Sequence, residues 1–190
     1  MDYSDGASIV PALSLTVLLP MRNEEKFAES KINSVIEEIA NFKETRLVVV
    51  TSSSDDGTRE IALNTLSSSI LPTSRWEVAD SEIPGKTRAV NLGLSIIETD
   101  LVMMMDADAS TKSRTIGQLV SWFQDPIVGG VCGCISEAIL GEKGYRNRFN
   151  KLRFSESIID STPIFEGSVC AFRIEAIGKS GIDPSINAKH

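Results

Sequence analysis

Apolar runs of strand length alternate with amphipathic stretches of helix length over the first 110 or so residues of the chain. Residues 13–19 form a continuous, β-prone apolar run, the pattern of a strand buried on both faces. Asn23 then precedes Glu24 and Glu25, which predicts a helix start with Asn23 as N-cap and acids near the positive end of the helix dipole. Ile32, Val35, Ile36 and Ile39 recur at steps of three and four, one face of a helix reaching about Phe42 and packed on a sheet. The pattern repeats with an apolar run at 47–50, a polar turn at 52–57 and a helix at 58–66. A short strand at 76–78 follows, then a helix at 86–97 entered through Pro84-Gly85 and an apolar strand at 101–105. Beyond Asp108 the regularity weakens to a helix near 114–123, a strand near 129–135, a polar helix near 143–160 and mixed structure after it.

Fourfold strand-helix alternation predicts an α/β fold, a mostly parallel central sheet with helices on both faces. Ligands of such sheets bind beyond the carboxyl ends of the strands, so chemistry is sought there. Residues 1–12 carry no apolar periodicity and read as an extended leader. No linker rich in Pro, Gly or Ser divides the rest, and a chain of 190 residues closes one core, so residues 1–190 are taken as one domain.

Composition narrows the partners. With 42% hydrophobic and 24% charged residues the chain has the balance of a packed globular protein. A net charge of -7 argues against gripping a nucleic-acid backbone, which calls for clustered Lys and Arg. Cys132, Cys134 and Cys170 are odd in number and fit neither a zinc set nor a disulfide framework, so they read as buried thiols in a reducing compartment. No apolar stretch approaches the roughly 20 residues that span a bilayer, and no signal peptide is visible. The expected location is cytoplasmic, or the cytoplasmic face of a membrane.

The most specific feature is Met105-Asp106-Ala107-Asp108, an apolar strand delivering two carboxylates, spaced by one small residue, at its carboxyl end. Paired carboxylates partly withdrawn from water need a counter-charge, and Mg²⁺ or Mn²⁺ supplies one while a substrate's phosphates complete its shell. The same residues also suit a plain role in capping the turn. Three other strand ends share that edge of the sheet. Pro20 to Glu25 forms one; Thr51 to Thr58 forms the second, a run of hydroxyls and carboxylates at a helix N-terminus suited to a nucleoside or phosphate. Gly85-Lys86-Thr87-Arg88 forms the third, where two cations oppose the helix dipole and a nearby anion would account for them.

In order, these segments read P-x-x-N-E-E, a turn closed by D-G-T, G-K-x-x-A-x-N-x-G and D-x-D. They resemble the family-2 type glycosyltransferases of the GT-A fold, the nucleotide-diphospho-sugar transferase group. The likeness extends from Leu15 to about Ile177, because Glu166-Gly167-Ser168 and Phe172-Arg173-Ile174-Glu175-Ala176 are similar to the family's acceptor-side segment. The resemblance implies inverting transfer of one sugar from a nucleotide diphosphate donor to an acceptor, a lipid-linked phosphate or a glycan. It implies that Pro20, Asn23, Glu24, Ser52, Ser53 and Asp56 hold the nucleoside, that Lys86 lies near the diphosphate, and that Asp106 and Asp108 manage ribose and metal. Asp108 is the residue assigned to direct coordination.

Two departures shape the reading. Ser52 and Ser53 stand where the family usually places a base-selecting Asp, and a hydroxyl does not choose a base edge as a carboxylate does, so a UDP-sugar is the default donor and a GDP-sugar the alternative. The family's general base falls in an acidic pair after a segment resembling Gly181-Ile182-Asp183-Pro184, and only Ser185 to His190 follow here. The chain is therefore expected to stop before its base, and also before any membrane-associating residues, with Asp183 and Glu166 as substitutes and His190 read as a terminal residue without a role. The alternative is a non-catalytic module that binds nucleotide-sugar and lacks a base. A sugar nucleotidyltransferase is disfavoured because no Gly-rich, Arg-containing loop follows the first strand.

Overall fold

A computed structural model describes residues 13–133 and 167–178. Six strands form one sheet: β1 (Leu15–Met21), β2 (Thr45–Ser52), β3 (Trp76–Ser81), β4 (Leu101–Met105), β5 (Gly130–Cys132) and β6 (Val169–Arg173), in the spatial order β3-β2-β1-β4-β6-β5. The first four are mutually parallel, whereas β6 runs antiparallel to β4 and to β5. The α/β class and the mostly parallel sheet are thus as expected. The helices are α1 (Glu25–Ile39), α2 (Thr58–Ser67), α3 (Lys86–Ile96), α4 (Thr115–Ser121) and a single turn, α5 (Ile174–Ile177).

Side chains alternate across a strand, and here each face has its own core. Val17, Leu19, Leu47, Val49, Met103 and Met105 pack with the apolar stripe of α1, with α2 and with Ile116 of α4. Leu18, Val48, Val50 and Val102 pack with Ala89, Val90 and Leu94 of α3. Being covered on both sides is why the central strands are apolar at nearly every position. The β1–β4 pairing ends at Leu18 opposite Met104, while β1 continues alongside β2 through Met21. Pro20, which has no N–H to give, lies in that unpaired stretch on the β4 side. Between β1 and β4 the strand order reverses, so the open crevice of the sheet lies there.

Several expectations are corrected. The first strand is shifted two residues, to Leu15–Met21, and its helix starts at Glu25 with Glu24, not Asn23, in the cap position. α1 ends at Ile39, where the Arg75 guanidinium donates to the carbonyls of Ile39 (2.8 Å), Phe42 (2.6 Å) and Thr45 (2.8 Å), a cation at the negative end of the helix. β6, read only as mixed structure, is a strand inserted between β4 and β5. Cys132 and Cys170 face each other across β5 and β6 as free thiols, and burial followed by the Cys132 neighbour pushes Cys170 up to about 12. Cys134, the helix expected near 143–160, Glu166, Asp183 and His190 lie outside the described residues. Among the described residues no helix is long and apolar enough to cross a membrane.

At the amino ends of the central strands, Asp100 accepts from the Ser14 N–H (2.8 Å) and the Ser14 hydroxyl (2.7 Å), fastening the start of β1 to the start of β4. Those bonds, the hydroxyl's first, hold its carboxyl below the ordinary value. A carboxyl lowered by folding stabilises the fold above its unfolded value, about 3.9, and ceases to as pH falls through the lower folded value. Asp100→Asn is therefore expected to be less stable than the parent at pH 7 in urea unfolding. The gap should begin to narrow as pH falls through about 4 and close only below the lowered folded value, where the carboxyl is protonated in both states; a gap independent of pH would remove this account.

Candidate functional site

The carboxyl ends of β1 to β4 carry every residue assigned in the sequence to the donor and the metal: Pro20, Asn23, Glu24, Ser52, Ser53, Asp56, Lys86, Asp106 and Asp108. Two of their loops are stitched to one another. Asn23, in the left-handed region at φ 54, accepts from Asp55 N–H through Oδ1 (3.0 Å), and its own N–H donates to the Ser54 hydroxyl (3.2 Å). Glu24 N–H donates to the Thr58 hydroxyl (2.8 Å), Glu25 N–H to Asp56 Oδ2 (3.2 Å), and Gly57 N–H back to Glu25 Oε2 (3.1 Å). The orphan N–H groups at the start of α1 are thus capped from the neighbouring loop rather than from their own chain segment. Asp56 also caps α2 through Thr58 N–H (3.0 Å). Desolvation alone would raise the Asp56 carboxyl, but the Thr58 and Glu25 bonds outweigh it and lower it. Asn23 and Asp56 accordingly build the floor of the site.

Ser52 is buried and turned to the other face, where its hydroxyl accepts from Gly85 N–H at 2.9 Å. Gly85, at φ 138, takes a backbone conformation closed to L side chains and lets the loop turn into α3. Ser53, at φ 48, is the strained corner of the β2 turn. Ser52 therefore ties β2 to the loop that presents Lys86, the first residue of α3. The Lys86 ammonium meets Asp106 Oδ1 at 2.6 Å, so the anion demanded by a cation at a helix N-terminus is supplied from the end of β4, three places from β3 in the sheet.

Asp106 and Asp108 follow β4 directly. Asp106 N–H donates to the Ser168 carbonyl (2.9 Å), which links them to the Gly167-Ser168 segment, and Ala109 N–H closes a turn on the Asp106 carbonyl (3.2 Å). Ala107 is buried and points its small side chain into the core. Glu24 shares this field: burial first, then Asp108, Asp106 and Asp56, push its carboxyl up. The Lys86 ammonium, exposed over half its side chain, pairs with Asp106, while Asp108, Asp56 and Glu24 add carboxylates to the same field. Such an excess of oxygen donors suits a hard divalent cation. Among the described residues no three ligating side chains converge tightly, so an ion here would take Asp108 and Asp106 and complete its shell from phosphate oxygens and water.

One residue of the site escaped the sequence reading. Lys31 of α1 is buried, and its Nζ donates to the Ala109 carbonyl at 2.6 Å, directly after the paired carboxylates. The signal was present: Lys31 sits between Ala28 and Ile32, a charge on an otherwise apolar stripe. Arg173, in the F-R pair, holds the loop before β5 through the carbonyls of Phe123 (2.7 Å) and Val128 (2.9 Å), which makes it a brace for the β5–β6 edge.

Comparison with known proteins bears on the fold and the family. No curated protein sequence matches the chain. A mannosyltransferase from Pyrobaculum calidifontis, PcManGT, solved with GDP-Man and Mn²⁺, is 30% identical with a TM-score of 0.75, over 87% of this chain and 47% of that one. Glucosyl-3-phosphoglycerate synthase from Mycobacterium tuberculosis, solved with Mn²⁺, UDP and glucosyl-3-phosphoglycerate, is 21% identical with a TM-score of 0.59, over 86% of this chain and 58% of that one. TarS from S. aureus with UDP-GlcNAc is 20% identical with a TM-score of 0.57, over 68% and 36%. The chain thus spans about half the length of the structures it resembles, or less. The family model for glycosyl transferase family 2 matches residues 16–180, nearly the whole sequence, and the chain belongs to that family.

Proposed function

We propose that the chain is the donor-binding part of an inverting glycosyltransferase that moves a sugar from a nucleotide diphosphate to an acceptor hydroxyl or phosphate. The observation that carries this is the meeting of Lys86 with Asp106 at 2.6 Å over the crevice between β1 and β4, with Asp108 and Glu24 in the same field. A diphosphate lying there replaces Asp106 as the partner of Lys86 and releases Asp106 toward the ribose or a cation. Pro20, Glu24 and the Ser53 corner lie on the β1 and β2 side, where the nucleoside would extend. Bound at Asp108 and Asp106, Mn²⁺ or Mg²⁺ would supply Lewis-acid neutralisation of the charge that grows on the departing diphosphate. Lys86 adds a fixed cation to the same oxygens, stabilisation that increases toward the transition state. Inversion further requires a carboxylate within hydrogen-bond reach of the acceptor proton, and Glu166 and Asp183 are the candidates within this chain.

Support for the donor class comes from the relatives. PcManGT was solved with GDP-Man and Mn²⁺, and glucosyl-3-phosphoglycerate synthase with UDP-Glc and Mn²⁺, so both nucleobases belong in the test. Titration calorimetry of the chain with GDP and with UDP, each with Mn²⁺ and with EDTA, is expected to show binding of one nucleotide that EDTA abolishes. Binding of neither, or binding indifferent to EDTA, would remove the reading. Binding without donor hydrolysis or transfer would identify a donor-binding module whose base lies elsewhere.

A further inference from the structure

Lys31 belongs to no part of the donor chemistry above, yet it is only 5% exposed, on a helix face that is otherwise apolar. An ammonium withdrawn this far from water is costly unless its surroundings compensate it, and burial lowers its affinity for the proton while Asp106, Asp108 and Glu38 oppose that shift. Its ammonium donates to a backbone carbonyl, that of Ala109, at 2.6 Å. Ala109 N–H is in turn held by the Asp106 carbonyl at 3.2 Å, and Asp106 N–H by the Ser168 carbonyl at 2.9 Å. The turn carrying both carboxylates is therefore pinned at three backbone points, of which only Lys31 is a side chain. Glu38, about two turns further along the same face of α1, accepts from Ile116 N–H at 2.9 Å and anchors the start of α4. Helix α1 thus grips both ends of the segment that follows β4.

We propose that Lys31 is a positioning residue for the metal-binding turn: by holding the Ala109 carbonyl it fixes the direction in which Asp106 and Asp108 leave β4, and so sets affinity for the divalent cation. It touches neither donor nor cation. Its positive charge, by itself, disfavours a second cation nearby, so a purely electrostatic role would make its removal tighten metal binding. A positioning role predicts the opposite sign. The binding readout rests on the donor-site reading; the backbone readout does not.

The test uses the whole chain with Lys31→Met and Lys31→Arg. Removing a buried charge leaves an apolar helix face intact, so Lys31→Met is expected to fold. In the nucleotide-free protein, hydrogen exchange at the Ala109 amide should accelerate in Lys31→Met and return toward the parent in Lys31→Arg, which retains donors for the carbonyl. With saturating GDP or UDP, whichever the parent binds, Mn²⁺ affinity followed by the electron-spin signal of free Mn²⁺ should fall about tenfold in Lys31→Met, as for outer partners of metal ligands generally. Lys31→Arg should recover most of it. Parent-like exchange at Ala109 in a folded Lys31→Met overturns the proposal, as does unchanged or tighter Mn²⁺ binding. A parent that binds no Mn²⁺ with either nucleotide overturns the donor-site reading instead, and the exchange result still decides the role of Lys31.

Discussion

Asp108→Asn is expected to weaken Mn²⁺-dependent nucleotide binding by about 100-fold or more, at or above the upper end of the roughly 10- to 100-fold typical of losing an outer partner of a ligand. Hard divalent cations depend on charged oxygen, and an amide at this position keeps the shape while discarding the charge. Asp106→Asn should have a smaller effect on the metal, because Asp106 already neutralises Lys86, and its loss frees an ammonium for the diphosphate. The two variants therefore separate a ligand from a carboxylate that mainly manages Lys86. Stability provides the control. Glu24 is pushed up by burial and then by Asp108 and Asp106, so like charges repel in the metal-free site. Removing one should leave thermal stability in EDTA equal to the parent's or higher, as is common where a functional site holds unfavourable charge. Loss of binding together with loss of stability would mean that Asp108 is a turn-forming residue, the plain role open to any Asp after a strand.

What was legible in the sequence depended on how locally each feature is specified. β4 matches its apolar run residue for residue, because both faces are covered and the change to Asp106 is abrupt. α2 and α3 start where the Gly57-Thr58 and Gly85-Lys86 steps place them. The anion implied by Lys86 was legible as a requirement, though not as Asp106, since that pairing is set by the order of strands in the sheet. β6 was missed for a related reason. Its five residues, Val169–Arg173, are a strand only because β4 and β5 offer edges on either side, and pairing of that kind leaves little trace in a short run. Asn23 was misread as a cap because local spacing favours it, whereas Asp56 provides the cap from another loop. The site's loops are thus more interdependent than their separate motifs suggest.

Gly93 closes the G-K-x-x-A-x-N-x-G segment, and its role is contact between layers. A Cβ built there would lie 2.4 Å from Leu18 Cδ1, 2.8 Å from Cδ2 and 3.2 Å from Cγ. Leu18 is fully buried on the central strand, packed among Val48, Val50, Leu94 and Val102, so its methyl groups have no free space to enter. Gly93→Ala gains about 1 kcal/mol of helix propensity, which offsets part of an overpacking cost of about 1–3 kcal/mol. Gly93→Val has less propensity to gain and two more methyls to place, so its net loss should exceed that of Gly93→Ala. At about 2–4 °C per kcal/mol for a chain of this size, the melting temperature should fall by several degrees. Leu18→Ala alone should cost about 2–5 kcal/mol by leaving a cavity, yet in combination with Gly93→Ala the new methyl enters that cavity. The double variant should therefore be more stable than the sum of the single losses by about 1 kcal/mol or more. Strict additivity in that cycle would show that α3 simply lifts from the sheet. In that case nucleotide binding should fall with stability, because the first residue of α3 is Lys86, and its contact with Asp106 holds only while the helix lies close against β1.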